Sequence, residues 1–210
     1  MLKRLFFLLI VRPLVLLVLG IHVSGRERLP SAGPCIVAAN HNSHLDALVL
    51  LCLFPLARLG DVRPVAAADY FFKTRLRAWF AKRVIGIIPL RRHPGPGGGD
   101  PLAGVRSALE AKQTVIFFPE GSRGEPERMA PFKRGVAHLA KAFPEVPVVP
   151  VFIRGAGKSL PRNEALLVPF IIDVAIGEPL YYRYGGCAAF TEALETRIRT
   201  LNPTQGECYE

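Results

Sequence analysis

Two histidines, two asparagines, a serine and a carboxylate crowd into one stretch of this 210-residue chain, Asn40-His41-Asn42-Ser43-His44-Leu45-Asp46. Ile36-Val37-Ala38-Ala39 before it reads as a short buried strand, and the apolar run Ala47 to Phe54 after it reads as a buried helix. A strand end meeting a helix start is where open α/β folds place their chemistry. Ser43 is a natural N-cap, and Asp46 falls where the second member of a capping box falls. Asp46 then lies in the first helical turn, with His41 in the loop before it. A carboxylate so placed can bend back and accept the proton on one imidazole nitrogen. The other nitrogen is left as an outward-facing base. This is the base-and-orienter half of a triad, without a protein nucleophile. An imidazole titrating near about 6.5 can take a proton from a hydroxyl at neutral pH.

Further stretches could do chemistry. Val84 to Leu90 reads as a buried strand ending in Arg91-Arg92, whose rigid forks suit phosphate. Val115 to Phe118 reads as another, with Pro119-Glu120-Gly121-Ser122-Arg123-Gly124 as its outgoing loop. A carboxylate beside glycines and a cation can bind a hydroxyl and a phosphate together. Lys133, at the start of a helix, is placed to add a second phosphate contact. Two rival chemistries use the same residues. His41, His44 and Asp46 could ligate a metal, although His22, His93 and His138 supply no second cluster. Ser122 could be a hydrolase nucleophile, although its context lacks the first glycine of a nucleophile elbow. A membrane-binding module without catalysis is the third reading. The glycine-rich segment His93 to Gly99 reads as a connector, because no phosphate-loop pattern completes within it.

These blocks carry a resemblance. Asn40-His41 followed by Asp46 resembles the His-x4-Asp signature of the glycerol-phosphate and lysophosphatidate acyltransferase family. Gly86-Ile87-Ile88-Pro89-Leu90-Arg91-Arg92, Phe118-Pro119-Glu120-Gly121-Ser122-Arg123 and Val146-Pro147-Val148-Val149-Pro150-Val151 agree in order and spacing. The resemblance implies direct transfer of a fatty acyl group from acyl-CoA or acyl carrier protein to the free hydroxyl of lysophosphatidate. Glycerol 3-phosphate or another lysolipid, including lyso-ornithine lipid, is the alternative acceptor. It implies His41 and Asp46 as catalytic residues and no cofactor or metal. It further implies Arg92, Glu120, Gly121, Ser122 and Arg123 as acceptor-binding residues, with Lys133 added through the similarity of Phe132-Lys133-Arg134-Gly135 to the family's Phe-Lys-x-Gly.

The elements that must position these residues read as an α/β fold. Strands are expected at Cys35–Ala39, Val62–Ala67, Val84–Leu90, Thr114–Phe118, Val148–Arg154 and Phe170–Ile176. Helices are expected near Leu45–Phe54, Lys73–Arg83, Pro101–Ala111, Lys133–Phe143 and Ala188–Leu201. Alternating strands and helices predict a mostly parallel or mixed sheet flanked by helices. Residues 25–210 are expected to form that domain, and residues 1–24 a membrane-associating helical segment.

Half of the chain is hydrophobic (50%) and the net charge is +10. Such a balance points to an anionic partner. Scattered basic residues without a nucleic-acid motif exclude nucleic acid as that partner and leave membrane lipids and a phosphorylated substrate. Cys35 and Cys52 lie in apolar runs and read as reduced core residues. Leu5 to Val23 is apolar enough to enter lipid. Arg12 costs about 2.5–3.5 kcal/mol on the insertion scale, and the surrounding Leu, Ile, Phe and Val residues, at about −0.3 to −0.6 each, outweigh it. Basic residues at both ends (Lys3, Arg4, Arg26, Arg28) leave orientation open, and Pro13 favours a kink. A bent, half-inserted helix pair is expected, with a single span as the alternative. The lipid contacts are expected at Phe6, Phe7, Leu9, Leu16 and Leu17, joined by Phe72 and Trp79 from the aromatic and basic stretch Asp69 to Arg83. The expected location is the cell membrane, with the catalytic domain on its cytoplasmic face.

Overall fold

The computed structural model describes residues 2–68, 74–90, 99–122, 128–159, 170–183 and 185–202. Among them, seven strands make one sheet in the order β1-β7-β6-β2-β5-β3-β4. They are β1 (Ile21–Ser24), β2 (Ile36–Ala39), β3 (Val62–Ala67), β4 (Ile88–Leu90), β5 (Thr114–Phe117), β6 (Val148–Arg154) and β7 (Ile172–Ile176). Only β6 and β7 pair antiparallel; every other neighbouring pair is parallel. The helices are α1 (Leu2–Phe6), α2 (Asp46–Cys52), α3 (Arg75–Phe80), α4 (Ala103–Glu110), α5 (Gly135–Ala142), α6 (Ala156–Ser159) and α7 (Gly186–Thr200). The expected α/β sheet flanked by helices is what the chain forms.

The central strand β2 is buried throughout, so it reads as a continuous apolar run rather than an alternation. Its side chains still divide between two cores. Cys35, Val37 and Ala39 pack on one face with Val49, Leu50 and Leu51 of α2. Ile36 and Ala38 pack on the other with Val105 and Leu109 of α4, Val136 and Leu139 of α5, and Leu194 and Ile198 of α7.

Two expectations are corrected at their ends. The run Val84 to Leu90 is not one strand. Ala81–Ile85 continues α3 as wide helical turns, Gly86 closes them at φ +81°, and only Ile88–Leu90 joins the sheet. An apolar run this short carries no period that separates a helix end from a strand. The second correction is β1, which lies inside the stretch read as membrane-inserting. Gly20 at φ +73° ends the N-terminal helix, and Ile21–Ser24 then pairs with β7.

That N-terminal helix runs from 2 to 19 and passes through Pro13. It widens into π-type turns at Phe7–Val11 and Leu14–Leu19. Such turns hold more residues than an α-helical turn, so the strict four-residue spacing of Phe7, Val11, Val15 and Leu19 stays on one stripe. All four are buried in the core that α2 shares. Phe7, expected to touch lipid, is thus fully buried, and Phe6 is half-buried with its ring edge-on to Phe80 at 5.3 Å. Leu9 (62%), Leu16 (53%), Leu17 (82%) and Trp79 (50%) are exposed. Phe72 lies outside the described residues. No helix among the described residues is long and apolar enough to cross a membrane.

The basic residues around this helix bond within the protein. Lys3 Nζ donates to Val62 O at 2.7 Å, and burial, reinforced by Arg63, lowers its pKa to about 7. Arg12, Arg26 and Arg4 donate to Phe54 O, Leu53 O and Ala57 O at 2.8, 2.9 and 2.7 Å. The first two carbonyls lie just beyond the C-terminal end of α2, where a helix leaves acceptors unpaired and favours cations, and Ala57 belongs to the 3-10 turn Leu56–Gly60 that follows. Arg12 therefore does not sit in an apolar face; it reaches across to grip α2.

Candidate active site

Strands β2 and β5 are parallel neighbours, in register from Ile36↔Val115 to Ala38↔Phe117. Their outgoing loops therefore leave the same edge of the sheet side by side. The loop after β2 carries His41, and the loop after β5 carries Glu120, Gly121 and Ser122. Strand β4, parallel to β3, ends on that edge too. Arg91 and Arg92 follow it, and like Arg123 they lie outside the described residues.

His41 Nδ1 lies 2.9 Å from Asp46 Oδ2. The same oxygen accepts the backbone N–H groups of Asn42 (2.7 Å) and Ser43 (2.8 Å). Asp46 thus reaches back to Ser43 N–H as expected and Ser43 Oγ accepts from Leu45 N–H at 3.3 Å, but α2 starts at Asp46 with Leu45, not Ser43, in the N-cap position. Beside a carboxylate the neutral imidazole carries its proton on Nδ1 and presents Nε2 as an acceptor. The Asp46 side chain is 1% exposed and that of His41 20%, so the carboxylate is sealed while the ring stays reachable.

Three more contacts fix the His41 loop. The His41 ring stacks on Phe118, with centroids 4.1 Å apart and planes at 19°. Asn40, at the strand end, donates from Nδ2 to Ile153 O (2.8 Å) and accepts from Ile153 N–H at Oδ1 (2.7 Å). Its amide continues the β2–β6 pairing by one step. Glu120 Oε1 accepts the backbone N–H of His41 at 2.8 Å. The roles of Phe118 and Asn40 were missed by sequence reasoning. The available signal for Asn40 was a polar residue closing an otherwise apolar strand.

Glu120 is 2% exposed, and its second oxygen accepts Ala130 N–H at 2.9 Å. Burial pushes its carboxyl pKa up, against the two backbone bonds that pull it down. Gly121 follows at φ +74°, and a Cβ there would come within 3.0–3.2 Å of Lys133 Nζ, Cε and Cδ. The Lys133 side chain therefore lies over Gly121, while Lys133 N–H donates to Pro119 O at 2.9 Å. Lys133 precedes α5 and is exposed, as is Ser122. Imidazole, glycine turn and ammonium thus share one edge. His44 is exposed, and no set of three His, Cys, Asp or Glu side chains among the described residues gathers as metal ligands.

Residues 20–154 match the family model described as Acyltransferase. A chloroplastic 1-acyl-sn-glycerol-3-phosphate acyltransferase of Brassica napus is 33% identical over 161 residues, 76% of this chain and 44% of the relative. The alpha form from Homo sapiens is 31% identical over 134 residues, 62% of this chain and 44% of the relative. The chain thus spans under half the length of these relatives. A crystal structure titled as the 1-acyl-sn-glycerophosphate (LPA) acyltransferase PlsC from Thermotoga maritima shares the fold, with a TM-score of 0.76 at 22% identity over 99% of this chain and 80% of that one. The family match runs through both the His41 loop and the loop of Glu120 and Gly121, and the chain belongs to the acyltransferase family.

Proposed function

We propose that this protein transfers a fatty acyl group from a thioester, acyl-CoA or acyl carrier protein, to the free hydroxyl of lysophosphatidate, giving phosphatidate. The observation that carries this is the 2.9 Å contact of His41 Nδ1 with Asp46. It leaves Nε2 as a reachable base on the edge where Lys133 lies over Gly121. In the step, the acceptor oxygen attacks the thioester carbon as its proton passes to Nε2. Asp46 stabilises the imidazolium. The tetrahedral intermediate then breaks its C–S bond, and the thiolate leaves with the proton. No covalent enzyme intermediate is needed. Lys133, with Arg92 and Arg123, supplies the positive charge suited to the acceptor's phosphate. The names of the relatives support lysophosphatidate over glycerol 3-phosphate or another lysolipid.

The test offers purified protein a panel of lysophosphatidate, glycerol 3-phosphate and neutral or zwitterionic lysolipids, each with acyl-CoA and with acyl carrier protein. The product is identified by mass. Phosphatidate as the main product is expected. Acylation of a lysolipid without a phosphomonoester as the main activity would overturn the acceptor.

The site's acceptor is a lipid, and the molecule carries a surface suited to one. Leu9, Leu16 and Leu17 face away from the core, and Leu76 (75% exposed) and Trp79 lie on α3. The Phe6–Phe80 contact joins the two helices. Exposed Arg75, Arg77, Lys82 and Arg83 border the aromatic side. We read this as a face that enters one leaflet, with basic residues at anionic headgroups. Buried, reduced Cys35 and Cys52 fit the cytoplasmic side. A Leu9→Ser, Leu17→Ser, Trp79→Ser triple variant should bind anionic vesicles at least about tenfold more weakly, since each large apolar side chain withdrawn from lipid forfeits about 1.5–3 kcal/mol when fully buried. Its thermal midpoint should not move, because these side chains lie outside the core. Unchanged co-sedimentation with vesicles would remove this face as the anchor.

A further inference from the structure

The proposed reaction needs one carboxylate, Asp46, yet the site buries two. Glu120 reads from the sequence as an acceptor ligand, but both of its oxygens already hold backbone amides, of His41 at 2.8 Å and Ala130 at 2.9 Å. With the side chain 2% exposed and each oxygen turned to an amide inside the fold, little of the carboxylate is presented to a substrate hydroxyl. The ladder between β2 and β5 closes at Ala38↔Phe117. Beyond that pair the chain after β2 has no strand partner on the β5 side, and the Glu120 side chain takes that place. On the other side Asn40 holds Ile153 of β6. The backbone of the base is therefore pinned from both neighbouring strands.

We propose that Glu120 is a positioning residue for His41, acting through the backbone amide of residue 41, rather than a ligand of the acceptor. The proposal rests on His41 being the base. The second amide has its own purpose. Ala130 lies in the same return segment as Lys133, whose N–H is tied to Pro119 O. One carboxylate thus sets the spacing between the loop of the base and the segment bearing an acceptor cation. Two amide donors demand two acceptor oxygens. A glutamine has one, and its NH2 would face an amide N–H whichever way it turned. Acidity at this position also works against stability. The native state holds a proton more tightly than the unfolded chain, whose glutamate titrates near 4.5, so stability falls as pH rises from there through the raised native value. A buried acid kept against that tendency is characteristic of a functional position.

The test measures initial rates of the full-length protein with lysophosphatidate and an acyl thioester, each varied. For Glu120→Gln the expected result is a kcat lowered by at least about tenfold with the acceptor KM within about threefold of wild type. In a His41→Ala background, Glu120→Gln should change the residual rate less than about threefold, because a residue that acts through the base has nothing left to position. Lys133→Ala serves as the ligand-type control, with a raised acceptor KM. An acceptor KM raised tenfold or more by Glu120→Gln with kcat retained would overturn the proposal. So would an undiminished effect of Glu120→Gln once His41 is gone. Should Glu120→Gln fail to fold, Glu120→Asp carries the same test, because it keeps the charge but is too short to span both amides. Full activity in His41→Ala alone would instead bring down the reading of the base on which this proposal stands.

Discussion

Replacing His41 by alanine lowers kcat by about 10²–10⁴-fold, the range a positioned general base contributes, and leaves the fold intact. In the proposed step the imidazole takes the acceptor's proton, and its removal leaves that hydroxyl to lose its proton to water. The surroundings tolerate the loss. Asp46 Oδ2 keeps its bonds from Asn42 and Ser43, and the main-chain bond to Glu120 is unaffected by the side chain. The acceptor KM should stay within about threefold, since the ring acts on the proton and not on the phosphate. Steady-state rates and a thermal melt check both halves. A raised KM with kcat preserved would take the role of base away from His41.

Asp46→Ala should cost activity on the same scale and stability as well. The ring loses the partner that fixes its tautomer, and two buried amides, Asn42 N–H and Ser43 N–H, lose their acceptor. Each stranded amide costs about 1–3 kcal/mol. For a domain of this size each kcal/mol lowers the melting temperature by about 2–4 °C, so a fall of about 5–15 °C is expected. Asp46→Asn separates the two functions. Its side-chain oxygen can still accept the amides, so the melt should stay near wild type, while the charge that steadies the imidazolium is gone and the rate still falls. Combining His41→Ala with Asp46→Ala should lower the rate little beyond either alone, because the two act as one unit. Independent, multiplicative losses would mean that Asp46 acts on something other than the ring.

The contact between His41 and Asp46 was legible because it is local. His41 and Asp46 are five residues apart, and the capping geometry of Ser43 and Asp46 dictates the turn between them. Strand β6 was legible as well, since Val148–Ile153 is an apolar run, and β3 was legible from its valines and alanines despite Arg63 and Pro64. Less was legible where one run serves two elements. Val84 to Leu90 divides at Gly86, and the stretch ending at Val23 divides at Gly20, positions where a positive φ is needed and glycine supplies it. The partners of Glu120 were illegible for another reason. They are main-chain amides 79 and 10 residues away, and an amide leaves no mark on the sequence. Arg12 misled in the same manner, since its acceptor, Phe54 O, is a carbonyl that every residue possesses.

The pairing of Ile21 with Ile172 makes the edge strand after the apolar helix wait for the last of the seven described strands. At typical synthesis rates of about 5–20 residues per second, the partner emerges about 8–30 s after the segment it receives. During that interval the leucine-rich start of the chain has no completed sheet edge to join. For the lipid-entering face proposed above, a bilayer is the competing sink for that apolar surface, and order of emergence then favours docking first and closure of the sheet afterwards.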